Sequence, residues 1–263
     1  MAKKTTKRRK GRSSHRRKNK ILKKVFSWLG SILLFFVLWS QLSPKTFQEV
    51  TSWLGFGRDT ISNGKYDGID VSKHQGKIDW AKVADDKNIK FVYIKATEGA
   101  SLVDRRYATN LKEAQREGLK VGSYHFFVSR TSADRQFENF RKRVNKSKQD
   151  LIPVVDVEKS GCKNATREQL QERLKQFMDL VKKEYGTYPI IYSDHHFYNE
   201  FLSPEFDKYT LFLARYNNEP PRVRSNAEHI IWQFSERGMV EGIKERVDLD
   251  RFANGASMSD ISL

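Results

Sequence analysis

LIPVVDVEKSGCKNATREQLQERLKQFMDLVKKEYGTYPIIYS, residues 151–193, reads as strand, helix and strand in succession. Its first eight residues are apolar apart from two carboxylates, the pattern of a buried strand that ends on charge. Leu170, Leu174, Phe177, Val181 and Tyr185 then recur every three or four residues, one face of a helix. Thr166 and Gln169 stand at capping-box spacing at its start. PIIYS at 189–193 is the second strand. A strand–helix–strand unit of this length predicts parallel pairing, and with it an α/β fold.

The same grammar extends on both sides. Short apolar runs at 68–71 (GIDV), 91–97, 121–127, 210–216 and 229–234 read as further strands. Helical stretches fall at 80–88, 104–117 and 133–145, between the early ones. After residue 193 the intervals shrink to loops. The expectation is a flattened (β/α) barrel with a reduced number of outer helices, filling residues 65–263. In such a barrel, functional side chains collect where parallel strands end.

The polar residues that end these runs supply the candidate site. Asp156 and Glu158 are two apart, so on a strand both point to one face. Repulsion and partial burial would raise one pKa and leave one proton donor beside one anion, the division that glycosidic cleavage needs. A strand end with two solvated acids, or a metal site, is the alternative reading. Other strand ends contribute Asp70, Glu98, Tyr124 with His125, Tyr192, Tyr216, Trp232 with Gln233, and Asp248 with Asp250. Carboxylates bind sugar hydroxyls and aromatic rings stack on pyranose faces. The aromatics could equally be barrel core, and His125 a packed core residue.

Taken together, GIDVSKHQGKIDW (68–80), FVYIKATEG (91–99), VGSYHFF (121–127), PVVDVE (153–158), PIIYS (189–193), LARY (213–216), WQF (232–234) and VDLDRF (247–252) resemble the family 25 glycoside hydrolases. These are the N-acetylmuramidase lysozymes of bacteria and phages. The resemblance implies a flattened barrel and cleavage of the β-1,4 bond between N-acetylmuramic acid and N-acetylglucosamine in peptidoglycan glycan strands. It further implies Glu158 as general acid and Asp156 as the carboxylate that stabilises positive charge or orients the substrate acetamide. Asp70 and Asp248 would complete the acidic set, with Glu98, Tyr124, His125, Tyr192, Tyr216, Trp232 and Gln233 binding substrate. One departure is Asp250, where the family usually has Asn.

The rest of the chain adds topology rather than chemistry. Of 49 Lys and Arg residues, 13 lie in residues 1–24, which hold no acid, so the net charge of +17 belongs mostly to a tail. The 18 residues VFSWLGSILLFFVLWSQL (25–42) carry no charge and have Trp28 and Trp39 near their ends. As a helix they would span about 27 Å, the thickness of a bilayer's hydrocarbon core. The expectation is a single transmembrane anchor at 25–42 with a cytoplasmic basic tail at 1–24, a linker at 43–64, and the barrel domain outside the cytoplasm. Topology alone accounts for the basic tail, so no nucleic-acid partner is expected. The lone Cys162 excludes an internal disulfide and a CxxC site. His195 and His196 lack metal-ligand spacing, and no phosphate-binding or dinucleotide fingerprint occurs, so neither metal nor cofactor is expected.

Overall fold

The computed structural model describes residues 65–163 and 165–263, which belong to one compact unit. The membrane helix expected at 25–42 lies outside the described residues, as do the basic tail and linker. Among the described residues no helix is long and apolar enough to cross a membrane.

Eight strands close into a barrel: β1 (Gly68–Val71), β2 (Phe91–Glu98), β4 (Lys120–Phe126), β5 (Val154–Asp156), β6 (Ile190–Asp194), β7 (Leu211–Ala214), β8 (Ile231–Gly238) and β9 (Val247–Phe252). A two-residue strand, β3 (Leu102–Val103), folds back on β2 outside the ring. Pairing is parallel from β1 through β8. The last strand, β9, runs antiparallel to both neighbours and closes the barrel between β8 and β1.

Helices α1 (Trp80–Asp85), α2 (Tyr107–Arg116), α3 (Ala133–Arg141) and α4 (Arg167–Tyr185) cover the first half of the ring. The longest, α4, begins as its sequence dictates. Thr166 and Gln169 cap each other reciprocally, and Gly186 ends the helix in the left-handed region at φ 86°. Helix α1 stops short of the expected residue 88, because Asp86 turns the chain by accepting the Asn88 amide at 2.9 Å. Beyond β6, only a short helical turn at 195–202 intervenes before β7, and no helix lies between β7 and β8 among the described residues.

Strand alternation divides the apolar residues into two cores. Ile69, Val92, Ile94, Val121, Val155, Val157, Ile191, Leu211 and Leu213 point outward and pack under the helices, against Leu174, Phe177 and Val181. Phe91, Tyr93, Val154, Ile190, Phe212 and Ile231 point inward and fill the barrel. Each such fully buried side chain contributes about 1.5–3 kcal/mol through removal from water. The inner core plugs the barrel at one end and leaves the other end, where the parallel strands finish, to polar residues.

Candidate active site

A pocket of about 230 Å³ opens at that end. Its lining includes Asp70, Tyr124, Asp156, Glu158, Tyr192, Tyr216, Gln233 and Asp248, and Tyr93 and Phe212 rise from the inner core as its floor. Seven separate strands or strand ends thus deliver these polar side chains to one small volume. Asp248 belongs to the antiparallel β9, so it is the strand's beginning that reaches the open end. Its register partner is Asp70.

Asp156 closes β5 and Glu158 follows two residues later. Asp156 is 7% exposed and its Oδ1 has no hydrogen-bond partner among the described residues. Glu158 is half-buried, and its Oε2 accepts from Ser160 Oγ at 3.1 Å. Burial pushes the Asp156 carboxyl well above the ordinary range, with Glu158's charge adding to it. Burial raises Glu158 as well, while the Ser160 hydroxyl and the Lys95 ammonium pull it back. Both carboxyls are therefore shifted toward their protonated forms.

Opposite them, Tyr192 and Tyr216 each donate a hydroxyl to Gln233 Oε1 at 2.7 Å. Gln233 Nε2 in turn donates to Asp70 Oδ2 at 2.5 Å. This chain fixes the Gln233 amide orientation and aims the Asp70 carboxylate into the pocket. Burial and the neighbouring Asp248 raise Asp70, and burial with Glu236 raises Asp248 to about 7. Below them lies Asp250, paired in register with Gly68 and fully buried. Neither of its carboxyl oxygens has a partner among the described residues, and burial beside Asp70 and Asp248 drives its pKa far upward. Burial thus favours its protonated form.

Not every expected residue reaches the pocket. Glu98 lines an adjoining cleft and is ion-paired to Lys95 at 2.9 Å. His125 lies in the outer core. Its Nε2 meets Gln136 Oε1 at 3.1 Å, an atom that can only accept, so that nitrogen carries the hydrogen. Nδ1 then accepts from Thr97 Oγ1 at 2.8 Å, and the ring stacks on Phe177. Burial lowers its pKa to about 4, so it is neutral. Trp232 also faces outward, donating Nε1 to the Arg215 carbonyl at 2.9 Å beneath the Arg251 guanidinium. Strand parity places His125 and Trp232, both expected to bind substrate, outside the pocket: their neighbours Tyr124 and Gln233 take the inward positions.

Two charged residues of the site escape a reading of the sequence. Lys95 lowers the pKa of both Asp156 and Glu158. The only sign of it is a lysine interrupting the apolar run FVYIKAT. Glu236 lines the pocket from β8, where register shifts between Gln233 and Gly238 break the alternation that would have predicted it.

A barrel plugged by apolar side chains and crowned by carboxylates with tyrosines defines the class of barrel hydrolases acting on sugars. The profile of the family described as "Glycosyl hydrolases family 25" matches residues 69–243, and the chain belongs to that family. It is therefore a glycoside hydrolase. It is 38% identical over 189 residues to the uncharacterized protein YegX of Escherichia coli K12, covering 70% of this chain and 68% of that one. It is 30% identical to the autolytic lysozyme of Clostridium acetobutylicum, over 72% of this chain and 56% of the relative. Among solved structures, a family 25 glycosyl hydrolase from Bacillus anthracis superposes with a TM-score of 0.68 at 29% identity, covering 75% of this chain and 94% of that chain.

Proposed function

We propose that this enzyme cleaves the β-1,4 bond between N-acetylmuramic acid and N-acetylglucosamine in peptidoglycan, with Glu158 as the general acid. The observation that carries the reading is the Asp156–Glu158 pair at the end of β5, one carboxyl buried and one reachable, both with raised pKa values. Kinship with lysozymes supports the choice of substrate.

The two roles follow from access. Glu158 faces the pocket and can reach a leaving oxygen. Asp156 is held deeper with Oδ1 unpartnered, an acceptor position suited to an acetamide N–H. Burial favours the protonated form of both carboxyls, and Asp156 is the more deeply buried of the two. An acetamide N–H donated to Asp156 stabilises that residue as the anion and moves the proton to Glu158, where it is needed. The Asp156 carboxylate then stabilises the positive charge that develops at the sugar, directly or through the oriented acetamide. Asp70 and Asp248 surround the pair and keep its local potential negative. Tyr124, Tyr192 and Tyr216 supply ring faces and hydroxyls to the sugar, and Gln233 positions Asp70.

Digestion of purified peptidoglycan by the full chain, followed by mass spectrometry, tests this reading. Muropeptides with reducing N-acetylmuramic acid ends are expected. The Glu158→Gln variant should lose about 10²–10⁴-fold in kcat while keeping its fold. Reducing N-acetylglucosamine ends, or a variant as active as its parent, would sink the assignment.

The membrane topology is a second part of the proposal. The uncharged 25–42 segment after 13 basic residues supports a single-pass anchor that holds the barrel outside the cytoplasm, next to the wall.

A further inference from the structure

Beside the pocket lies a larger cleft of about 640 Å³, a volume typical of sites that enclose a drug-sized ligand. Three cations line it: Arg130 after β4, Lys163 after β5, and Arg173 on α4. Arg130 and Lys163 are exposed and have no ion-pair partner among the described residues. Arg173 is held by donating Nη1 to the Ser129 carbonyl. The one acid in the lining, Glu98, is already engaged by Lys95. The cleft therefore carries net positive charge, although the neighbouring pocket is crowded with carboxylates.

Its position ties it to the same substrate. Ser160 lines the cleft and donates to Glu158 Oε2 at 3.1 Å, so the cleft begins one hydrogen bond from the proposed proton donor. The walls are built closely. The loops after β4 and β5 are joined where Ser129 N donates to the Gly161 carbonyl at 3.1 Å. A Cβ on Gly161 would stand 2.2 Å from the Phe127 carbonyl, which is why glycine occupies that turn. Beyond the cations, Val128 and Ala165 offer small apolar surface, and Ser129 and Gln169 offer hydrogen bonds. Small apolar contacts, amide-sized hydrogen bonds and unpaired cations are what a short acidic peptide requires. In peptidoglycan such a peptide is attached through the lactyl group of N-acetylmuramic acid, the sugar whose bond is cut.

We infer that this cleft binds the acidic stem peptide of the substrate, with Arg130, Lys163 and Arg173 receiving its carboxylates. The inference rests on the muramidase reading and names the substrate within it: glycan that still bears peptide. A glycan strand stripped of peptide fills the pocket and leaves the cleft empty.

The test measures binding and cleavage separately. For binding, the full chain carrying Glu158→Gln is titrated with soluble glycan fragments bearing stem peptides, and with the same fragments after amidase removal of the peptides. Stem-bearing fragments should bind about five-fold more tightly, and the advantage should shrink with added salt. Adding Arg130→Gln and Lys163→Gln, both exposed, should abolish the advantage and leave affinity for stripped fragments unchanged. Equal affinity for the two fragments, or an advantage that survives the double substitution, overturns the inference. So does displacement of stem-bearing fragments by a phosphodiester wall polymer that binds more tightly than they do, which would assign the cleft to phosphate. For cleavage, the unsubstituted chain is given stem-bearing and stripped glycan in parallel. Cutting without any stem preference leaves the muramidase reading standing and removes the cleft assignment; tight stem-dependent binding with no cutting does the reverse.

Discussion

Asp250 is a carboxylic acid sealed inside the barrel with both oxygens unpartnered among the described residues. Burial beside Asp70 and Asp248 holds its folded-state pKa above its unfolded value. Its contribution to stability is therefore present in full below the unfolded pKa and is lost as pH rises toward the folded one. Asp250→Asn removes that loss. The variant should melt higher than the parent at pH 7, with the gap shrinking as pH falls into the ordinary carboxyl range. Thermal melts across that range measure it, and a gap that widens on acidification would refute the assignment. Asp248 gives a second expectation, since burial and Glu236 raise its pKa to about 7. The profile of kcat/KM against pH should show a step near 7 that disappears in Asp248→Asn. A step unchanged by the substitution would mean another group titrates there. Both acids are visible in VDLDRF, yet their depth is not. Only the pairing of β9 with β1 sets Asp248 opposite Asp70 and sinks Asp250 one layer below.

At the scale of elements, the strands and helices follow patterns legible in the chain, and parity decides which expected residues reach the pocket. YHF and WQF each offer two adjacent residues suited to a sugar site, but a strand can send only one of them inward. Tyr124 and Gln233 face the pocket; His125 and Trp232 brace the outer core. In the DxE pair the spacing of two residues removed that ambiguity, which is why β5 was the more readable strand. The antiparallel direction of β9 was hidden for a different reason: it depends on partners far away in sequence. Helix α4 offers a test of local coding. Thr166→Ala removes the hydroxyl that accepts the Gln169 amide and should cost about 1 kcal/mol of stability, read as a lower denaturant midpoint with an unchanged slope. An unshifted midpoint would show that packing against the sheet, not the cap, starts the helix.

For the whole molecule, the anchor and the barrel are proposed to do separate jobs. Deleting residues 1–42 should release the protein from the membrane fraction into the soluble fraction, while cleavage of purified, soluble peptidoglycan fragments stays within about two-fold of the full chain. Retention of the truncated protein on membranes would place the attachment in the barrel itself. The barrel's own closure has a consequence for when activity can begin. Strand β1 pairs with β9, so Gly68–Asp70 must wait for Asp248–Asp250 before the ring can shut. During synthesis the chain displays Asp156 and Glu158 about ninety residues before it possesses Asp248, and until then it is an open sheet with two raw edges. Contacts this distant in sequence exact a loop-closure entropy that local helix formation cannot offset early. An emerging chain therefore carries its acid pair as an unfinished fragment, and its pocket is assembled only when the last strand arrives.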